Sequence, residues 1–199
     1  MDVRDATALI EPAVPHPGGT WADLGAGAGT FTLALARLLG PNGRVVAVER
    51  DGHALNQLRR MASRRTGGVA PISTIDADFS QRLELPMLDG ALLANALHFV
   101  ADARQPEVLA RLSRTIRPGG RIVVVEYEGR RPSRWVPYPA GVARLAAIAH
   151  DAALPEPMPT GSRASAYGGT MYVAVITVPP LPAPSRQIDS LALPSAKSE

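Results

Sequence analysis

The sequence contains no cysteine, and Lys197 is the only lysine among 21 basic residues. Without cysteine the chain can form no disulfide, no thiolate metal site and no cysteine nucleophile. No metal site is assigned. No apolar run approaches the roughly 20 residues of a membrane span, so no membrane association is expected. No charged leader followed by an apolar core opens the chain, so a secretory signal is not expected and a cytoplasmic protein is. A long basic run is also missing. The formal net charge of +3, carried by scattered arginines, reads as coding bias, and no nucleic-acid partner is expected.

What remains is a chain of 199 residues, 46% hydrophobic, which suits one globular domain. Residues 2–11 fit a short helix closed by Pro12, and a Pro/Gly loop follows to residue 18. Residues 21–24 form the first expected strand and 29–39 a helix, with Phe31, Leu35, Leu38 and Leu39 at helical spacing. A second strand covers 44–49. Asp51 caps a helix through 63, and a third strand covers 72–76. Residues 89–95 are the fourth strand. Asp102 is expected to cap a helix through 115, and Pro118-Gly119-Gly120 to stop it and turn. Residues 121–126 are the fifth strand. This alternation of short apolar strands with helices means a parallel α/β sheet covered on both faces.

The last third differs. Residues 130–138 are an Arg/Pro/aromatic loop, and 139–153 an Ala-rich helix. Pro155, Pro157 and Pro159 confine any strand there to a short edge position. Residues 169–178 are the final strand. The domain is therefore expected to span 1–178, with 1–18 as its N-terminal helix and loop. Residues 179–199 are rich in Pro, Ser and Ala and read as a disordered tail.

The most informative segment is Trp21-Ala22-Asp23-Leu24-Gly25-Ala26-Gly27-Ala28-Gly29-Thr30. It reads as a strand, a glycine turn and a helix whose free N–H groups open at the turn. Thr30 stands where the dinucleotide fingerprint Gly-x-Gly-x-x-Gly would place its third glycine. Ligands of open α/β sheets bind beyond the carboxyl ends of the strands. Those ends carry Gly25-Ala26-Gly27, then Glu49-Arg50-Asp51, Asp76-Ala77-Asp78-Phe79, Asn95-Ala96-Leu97-His98 and Glu126-Tyr127-Glu128. Glu49 can accept hydrogen bonds from a ribose diol. Asp78 can accept from an exocyclic amine while Phe79 offers an apolar surface to a purine. Asp23 either holds an ammonium group or bonds nearby backbone amides.

These motifs, with Arg117-Pro118-Gly119-Gly120-Arg121, resemble the class I S-adenosylmethionine-dependent methyltransferases across residues 18–178. Arg134 to Pro139 and Tyr167 to Tyr172 resemble a small bacterial branch of them, with no acceptor assigned. The resemblance implies a Rossmann-like open sheet of about seven strands, mostly parallel, with an antiparallel last strand and helices on both faces. It implies S-adenosylmethionine as cofactor, leaving as S-adenosylhomocysteine. Gly25, Ala26 and Gly27 would line its methionine and ribose portion, and Glu49, followed by Arg50, its ribose. Asp78 and Phe79 would contact the adenine, and Asn95 would lie near the sulfonium.

Methyl transfer asks mainly for positioning, because the donor supplies the reactivity. Where a proton must leave the acceptor, His98 is the candidate base, with Glu126, Tyr127 and Glu128 next. Trp135 and Tyr138 either cover an apolar acceptor or pack the last helix onto the sheet, and the second is preferred. Arg59, Arg60, Arg64 and Arg65 read as a solvated helix face rather than an RNA footprint. Asn95 is not followed by the Pro-Pro-aromatic loop of base amino-methylases. Without cysteine, thiolate-dependent pyrimidine and arsenic methylation are excluded. No large insertion caps the site, so the acceptor pocket is expected to be shallow or completed by a second subunit, and monomer and homodimer both stay open. The expected function is methyl transfer to a small-molecule acceptor. The alternatives are a non-catalytic cofactor-binding or partner subunit, an RNA methyltransferase and an NAD-dependent oxidoreductase. Thr30, Asp78-Phe79 and the missing Tyr-x-x-x-Lys pair weigh against the last.

Overall fold

The computed structural model describes residues 1–64, 67–166 and 168–180. Arg65, Tyr167 and the expected tail from residue 181 onward lie outside the described residues. The chain runs α1 (Val3–Ile10), β1 (Gly19–Leu24), α2 (Thr30–Leu39), β2 (Gly43–Glu49), α3 (Gly52–Ser63), β3 (Ile72–Asp76) and β4 (Leu88–Ala94). It continues with α4 (Gln105–Ser113), β5 (Ile116–Glu128), α5 (Val142–Asp151), β6 (Met158–Ala164) and β7 (Thr170–Thr177). Among the described residues, no helix is long and apolar enough to cross a membrane.

The seven strands form one sheet in the order β3-β2-β1-β4-β5-β7-β6. The first five are parallel, and β7 runs antiparallel to both β5 and β6. Alternate residues of each strand go to opposite faces. Trp21, Val45, Leu92, Val123 and Val173 pack with α1 and α2 on one face. Ala22, Leu24, Val48, Leu93, Val124 and Ala174 pack with α4 and α5 on the other. Ala47 meets Leu55 and Leu58 of α3. Both faces are covered, which is why the strands read as continuous apolar runs.

The chain winds outward from β1 to β3, then returns to place β4 on the other side of β1. That reversal leaves a crevice at the carboxyl ends of β1 and β4. Every expected strand is present. β6 takes the edge position that the proline-crowded segment requires, and its pairing slips between Pro159 and Gly161.

Two local readings are corrected. Asp102 opens a 3-10 turn over Asp102–Arg104 without a side-chain cap, and α4 starts at Gln105. Pro106 follows, and its fixed φ suits the first helical turn. Pro118-Gly119-Gly120 does not end the strand pairing. Leu88 pairs with Ile116 and Gly90 with Arg121, so the extra residues bulge within β5. The peptides of Gly119 and Gly120 bond Val178 instead.

Trp21 and Gly90 are cross-strand partners on β1 and β4. A Cβ at position 90 would lie 2.5 Å from the Trp21 ring. Gly90→Ala is therefore expected to destabilise by about 1–3 kcal/mol, the cost of overpacking a filled core. Urea unfolding of the variant checks this, and an unchanged midpoint would contradict it.

Candidate functional site

A cleft of about 440 Å³ opens at the carboxyl edge of the sheet. Its wall on the β1 side is the glycine turn. The N–H groups of Gly25 and Ala26 donate to the Val48 carbonyl at 2.8 and 3.0 Å, which folds the turn over the end of β2. Gly25 sits at φ +75°, and a Cβ there would lie 2.8 Å from the Ala96 side chain. No other residue type fits this close approach without displacement.

Glu49 ends β2 and holds the turn open. One carboxylate oxygen, Oε2, accepts the Gly27 N–H at 2.8 Å, and Oε1 accepts the Asp51 N–H at 2.7 Å. A carboxylate has about four acceptor positions, so each oxygen keeps capacity for a ligand hydroxyl. Asp51 in turn caps α3 through the N–H groups of His53 and Ala54.

Asp78 and Phe79 form the opposite wall. Arg50 reaches across to Asp78 at 3.0 Å, and the Ser80 N–H donates to its other oxygen at 2.8 Å. Partial burial pushes the Asp78 carboxyl up, but the Ser80 and Arg50 hydrogen bonds and the guanidinium charge outweigh it and hold it below the usual value. The pair is solvent-exposed on the Arg50 side and contributes little to stability.

Of the nine residues expected at the cofactor, Gly25, Ala26, Gly27, Glu49, Arg50, Asp78, Phe79 and Asn95 all line this cleft. Asp23 does not. It lies behind the glycine turn, 1% exposed, with Oδ2 accepting the Thr32 hydroxyl at 2.6 Å. Its Oδ1 is buried, with no hydrogen-bond partner among the described residues. Burial, reinforced by the Glu49 charge and opposed by the Thr32 bond, pushes its carboxyl up to about 7.

Asn95 lies just past β4 in a left-handed conformation, φ 52°, which non-glycine residues adopt at a cost of about 1–3 kcal/mol. Its Oδ1 is also buried and unpartnered. Asn95 and Phe99 line both this cleft and a second cavity of about 460 Å³.

The second cavity is walled by His98, Phe99, Tyr127, Arg130, Ser133, Trp135 and Val136. Trp135 is 68% exposed and stands at this cavity. The expectation that it packs the last helix against the sheet is therefore corrected. The loop after β5 contributes Arg130, Ser133, Trp135 and Val136 to this cavity. His98 sits in a 3-10 turn over Leu97–Phe99, and its Nδ1 lies 2.8 Å from Glu126 Oε2.

Sequence reasoning missed Gln105. It is fully buried, and its amide donates to the carbonyls of Leu97, Val100 and Tyr138 at 3.2–3.4 Å. It ties the His98 turn to the loop that carries Trp135. A polar residue beside a proline at a helix start gives no signal of that role.

A methyltransferase-domain family model matches residues 22–120. Over 121 residues the chain is 30% identical to the 2-phytyl-1,4-naphtoquinone methyltransferase of Synechococcus elongatus, covering 59% of this chain and 49% of that protein. The chain spans about a third to a half of the length of the curated relatives it matches. Two solved structures share the fold. The N-methyltransferase NodS of Bradyrhizobium japonicum aligns at TM-score 0.68 with 16% identity, over 88% of this chain and 95% of that one. The 1,6-didemethyltoxoflavin-N1-methyltransferase of Burkholderia thailandensis aligns at TM-score 0.68 with 21% identity, over 89% and 78%.

Asp23 makes the stability of the ligand-free protein depend on pH. Its folded value, about 7, lies above the ordinary 3.8, so the folded protein keeps a proton that the unfolded chain releases first. That stability is complete below about pH 4 and is lost as pH rises through 7. Relative to the native protein, Asp23→Asn should gain as pH rises from 4 to 8, by up to about 4 kcal/mol. Urea unfolding of both proteins across this range measures it. Parallel pH profiles would contradict the assignment.

Proposed function

We propose that the chain is a class I S-adenosylmethionine-dependent methyltransferase and that it methylates a small-molecule acceptor. S-adenosylmethionine occupies the cleft beside the glycine turn, and the acceptor enters the second cavity. The observation that carries this reading is Asn95, which lines both spaces. A transferring methyl group must sit where donor and acceptor meet.

The cleft residues fit the cofactor by their chemistry. Glu49 has acceptor capacity for two ribose hydroxyls beyond its backbone bonds. Asp78, held ionised by Arg50 and Ser80, accepts from the adenine amine while Phe79 covers the ring. The unpartnered Oδ1 of Asn95 offers a partial negative charge beside the expected sulfonium. Gly27 has open space on its Cβ side, so a ligand can approach the main chain.

The bound cofactor supplies an activated methyl group. The chain supplies position: the glycine turn and Glu49 fix the donor, and Asn95 and Phe99 form the boundary with the acceptor. Holding the reactants in line is worth up to about 7–11 kcal/mol of barrier. His98 is the side chain placed to take a proton from an acceptor that must lose one. Residues 1–178 act as one domain, in the cytoplasm, as monomer or homodimer and without nucleic acid. The quinone and toxoflavin methyltransferases among the similar proteins carry small-molecule acceptors in their names, which supports that class here.

Calorimetric titration tests the reading. S-adenosylhomocysteine should bind the native chain and NAD should not. Glu49→Ala should weaken S-adenosylhomocysteine binding by about 1.5–3 kcal/mol, the worth of charge-assisted hydrogen bonds. Equal affinity in the variant would refute the ribose assignment, and NAD binding in place of S-adenosylhomocysteine would overturn the function.

A further inference from the structure

We infer that His98 and Glu126 form a proton-accepting pair that makes the second cavity a site for hydroxylated aromatic acceptors. Glu126 is the positioning residue and His98 the catalytic one. The inference rests on the methyl-transfer reading above and adds to it the acceptor class and the role of Glu126.

Glu126 lies on β5 with no exposed surface, and His98 is 2% exposed. Three N–H groups point at the Glu126 carboxylate. Its Oε1 accepts the His98 main-chain N–H at 3.1 Å. Its Oε2 pairs with His98 Nδ1 at 2.8 Å and accepts the Tyr127 N–H at 3.4 Å. Burying a carboxylate costs several kcal/mol before its partners compensate, and a role in packing alone would be served by an apolar side chain. The carboxylate grips both the backbone and the ring of one residue. An ionised carboxylate only accepts, so in the neutral ring Nδ1 carries the proton and Nε2 keeps a lone pair. The ring that results is an oriented base, and His98 lines the cavity.

The cavity walls name the acceptor. The chain has two Trp, four Tyr and three Phe, and Phe99, Tyr127 and Trp135 all stand around this one space. Phe99 and Trp135 present large exposed ring surfaces, which suit a planar aromatic guest. A phenolic hydroxyl titrates near 10. At neutral pH the phenol therefore keeps its proton, and a neighbouring neutral imidazole raises its nucleophilicity by taking that proton during reaction. A neutral amine attacks through its lone pair before losing a proton and would leave the pair idle.

The step balances. The acceptor O–H bond breaks and its proton passes to His98 Nε2. The oxygen lone pair forms the new O–C bond as the S–C bonding pair returns to sulfur. Glu126 stabilises the imidazolium, which then releases its proton to solvent. The other titratable or charged groups near the pair are Tyr127 and Glu128 on β5, Arg130 in the loop, and Tyr172 on β7, whose hydroxyl donates to the Ala140 carbonyl.

Two measurements on the full chain test this. The first is the ¹⁵N spectrum of histidine-labelled protein at pH 8, with His98 assigned by its loss in His98→Asn. Nδ1 should be protonated and Nε2 bare, and Glu126→Gln, which turns an amide donor toward Nδ1, should reverse the tautomer. A protonated Nε2 in the native protein overturns the inference, whether or not the variants fold.

The second is S-adenosylhomocysteine release with catechol, a naphthohydroquinone, 4-nitrophenol or aniline as acceptor. Hydroxylated compounds should turn over. His98→Asn and Glu126→Gln should lower kcat with catechol by about 100-fold or more, with S-adenosylhomocysteine affinity unchanged. Glu126→Asp should recover part of the loss. With 4-nitrophenol, already largely ionised at pH 8, the loss should be far smaller. Turnover of aniline alone, turnover of none of these compounds, or equal losses with catechol and 4-nitrophenol would overturn the inference. Failure of the native protein to bind S-adenosylhomocysteine would instead overturn the reading beneath it.

Discussion

Glu49 spends both of its carboxylate oxygens on main-chain N–H groups, Gly27 on one side and Asp51 on the other. Those two bonds join the end of β1 to the end of β2 and to the start of α3. Gly25, Gly27 and Gly29 all have positive φ, and glycine loses more freedom on ordering than any other residue. Hydrogen bonds to a charged acceptor, worth about 1.5–3 kcal/mol each, offset part of that entropy. The clamp shapes the turn before any ligand arrives. It also leaves lone pairs on the carboxylate facing the cleft, so the group that builds the wall can also bind a ligand.

Everything beyond the clamp depends on where the sheet reverses. β4 returns beside β1, and its last residues enter the space beyond the glycine turn. Ala96 then packs where a Gly25 side chain would stand. Asn95 is forced into a left-handed conformation at that corner, with an unpartnered oxygen. A left-handed backbone and an unsatisfied polar atom thus coincide at one residue, on the boundary between two cavities. The neighbouring turn is secured independently. Gln105 holds its carbonyls, and the His98 carbonyl accepts the Tyr138 N–H at 3.0 Å. The loop bearing Trp135 is thereby fastened to the turn bearing His98.

The parts of this site legible in the sequence are those written locally. The glycine turn, the carboxylate ending β2 and the Asp78-Phe79 pair each follow an apolar strand by a few residues, and all but Asp23 of the expected set face one cleft. Asp23 alternates to the far side of its strand end, a matter of register that a motif does not show. Most strands were legible for the same reason, as short apolar runs, whereas β6 is polar and was expected only as an edge segment. What the sequence hid is long-range. Glu126 reads as a free strand-end carboxylate until β4 and β5 are paired, 28 residues bringing it to His98. Gln105 carries no local signal of its role until the fold closes around it. Asp102 looked like a cap because its residue type favours caps, but the helix takes its start from the proline four residues on.

The central claim is that two adjoining cavities, meeting at Asn95, hold donor and acceptor. The most direct test is a crystal structure of the full chain with S-adenosylhomocysteine. The account predicts the ribose hydroxyls on Glu49, the adenine between Asp78 and Phe79, and the sulfur at Asn95 facing the His98 cavity. A ligand bound elsewhere, or one whose sulfur points away from that cavity, would contradict it.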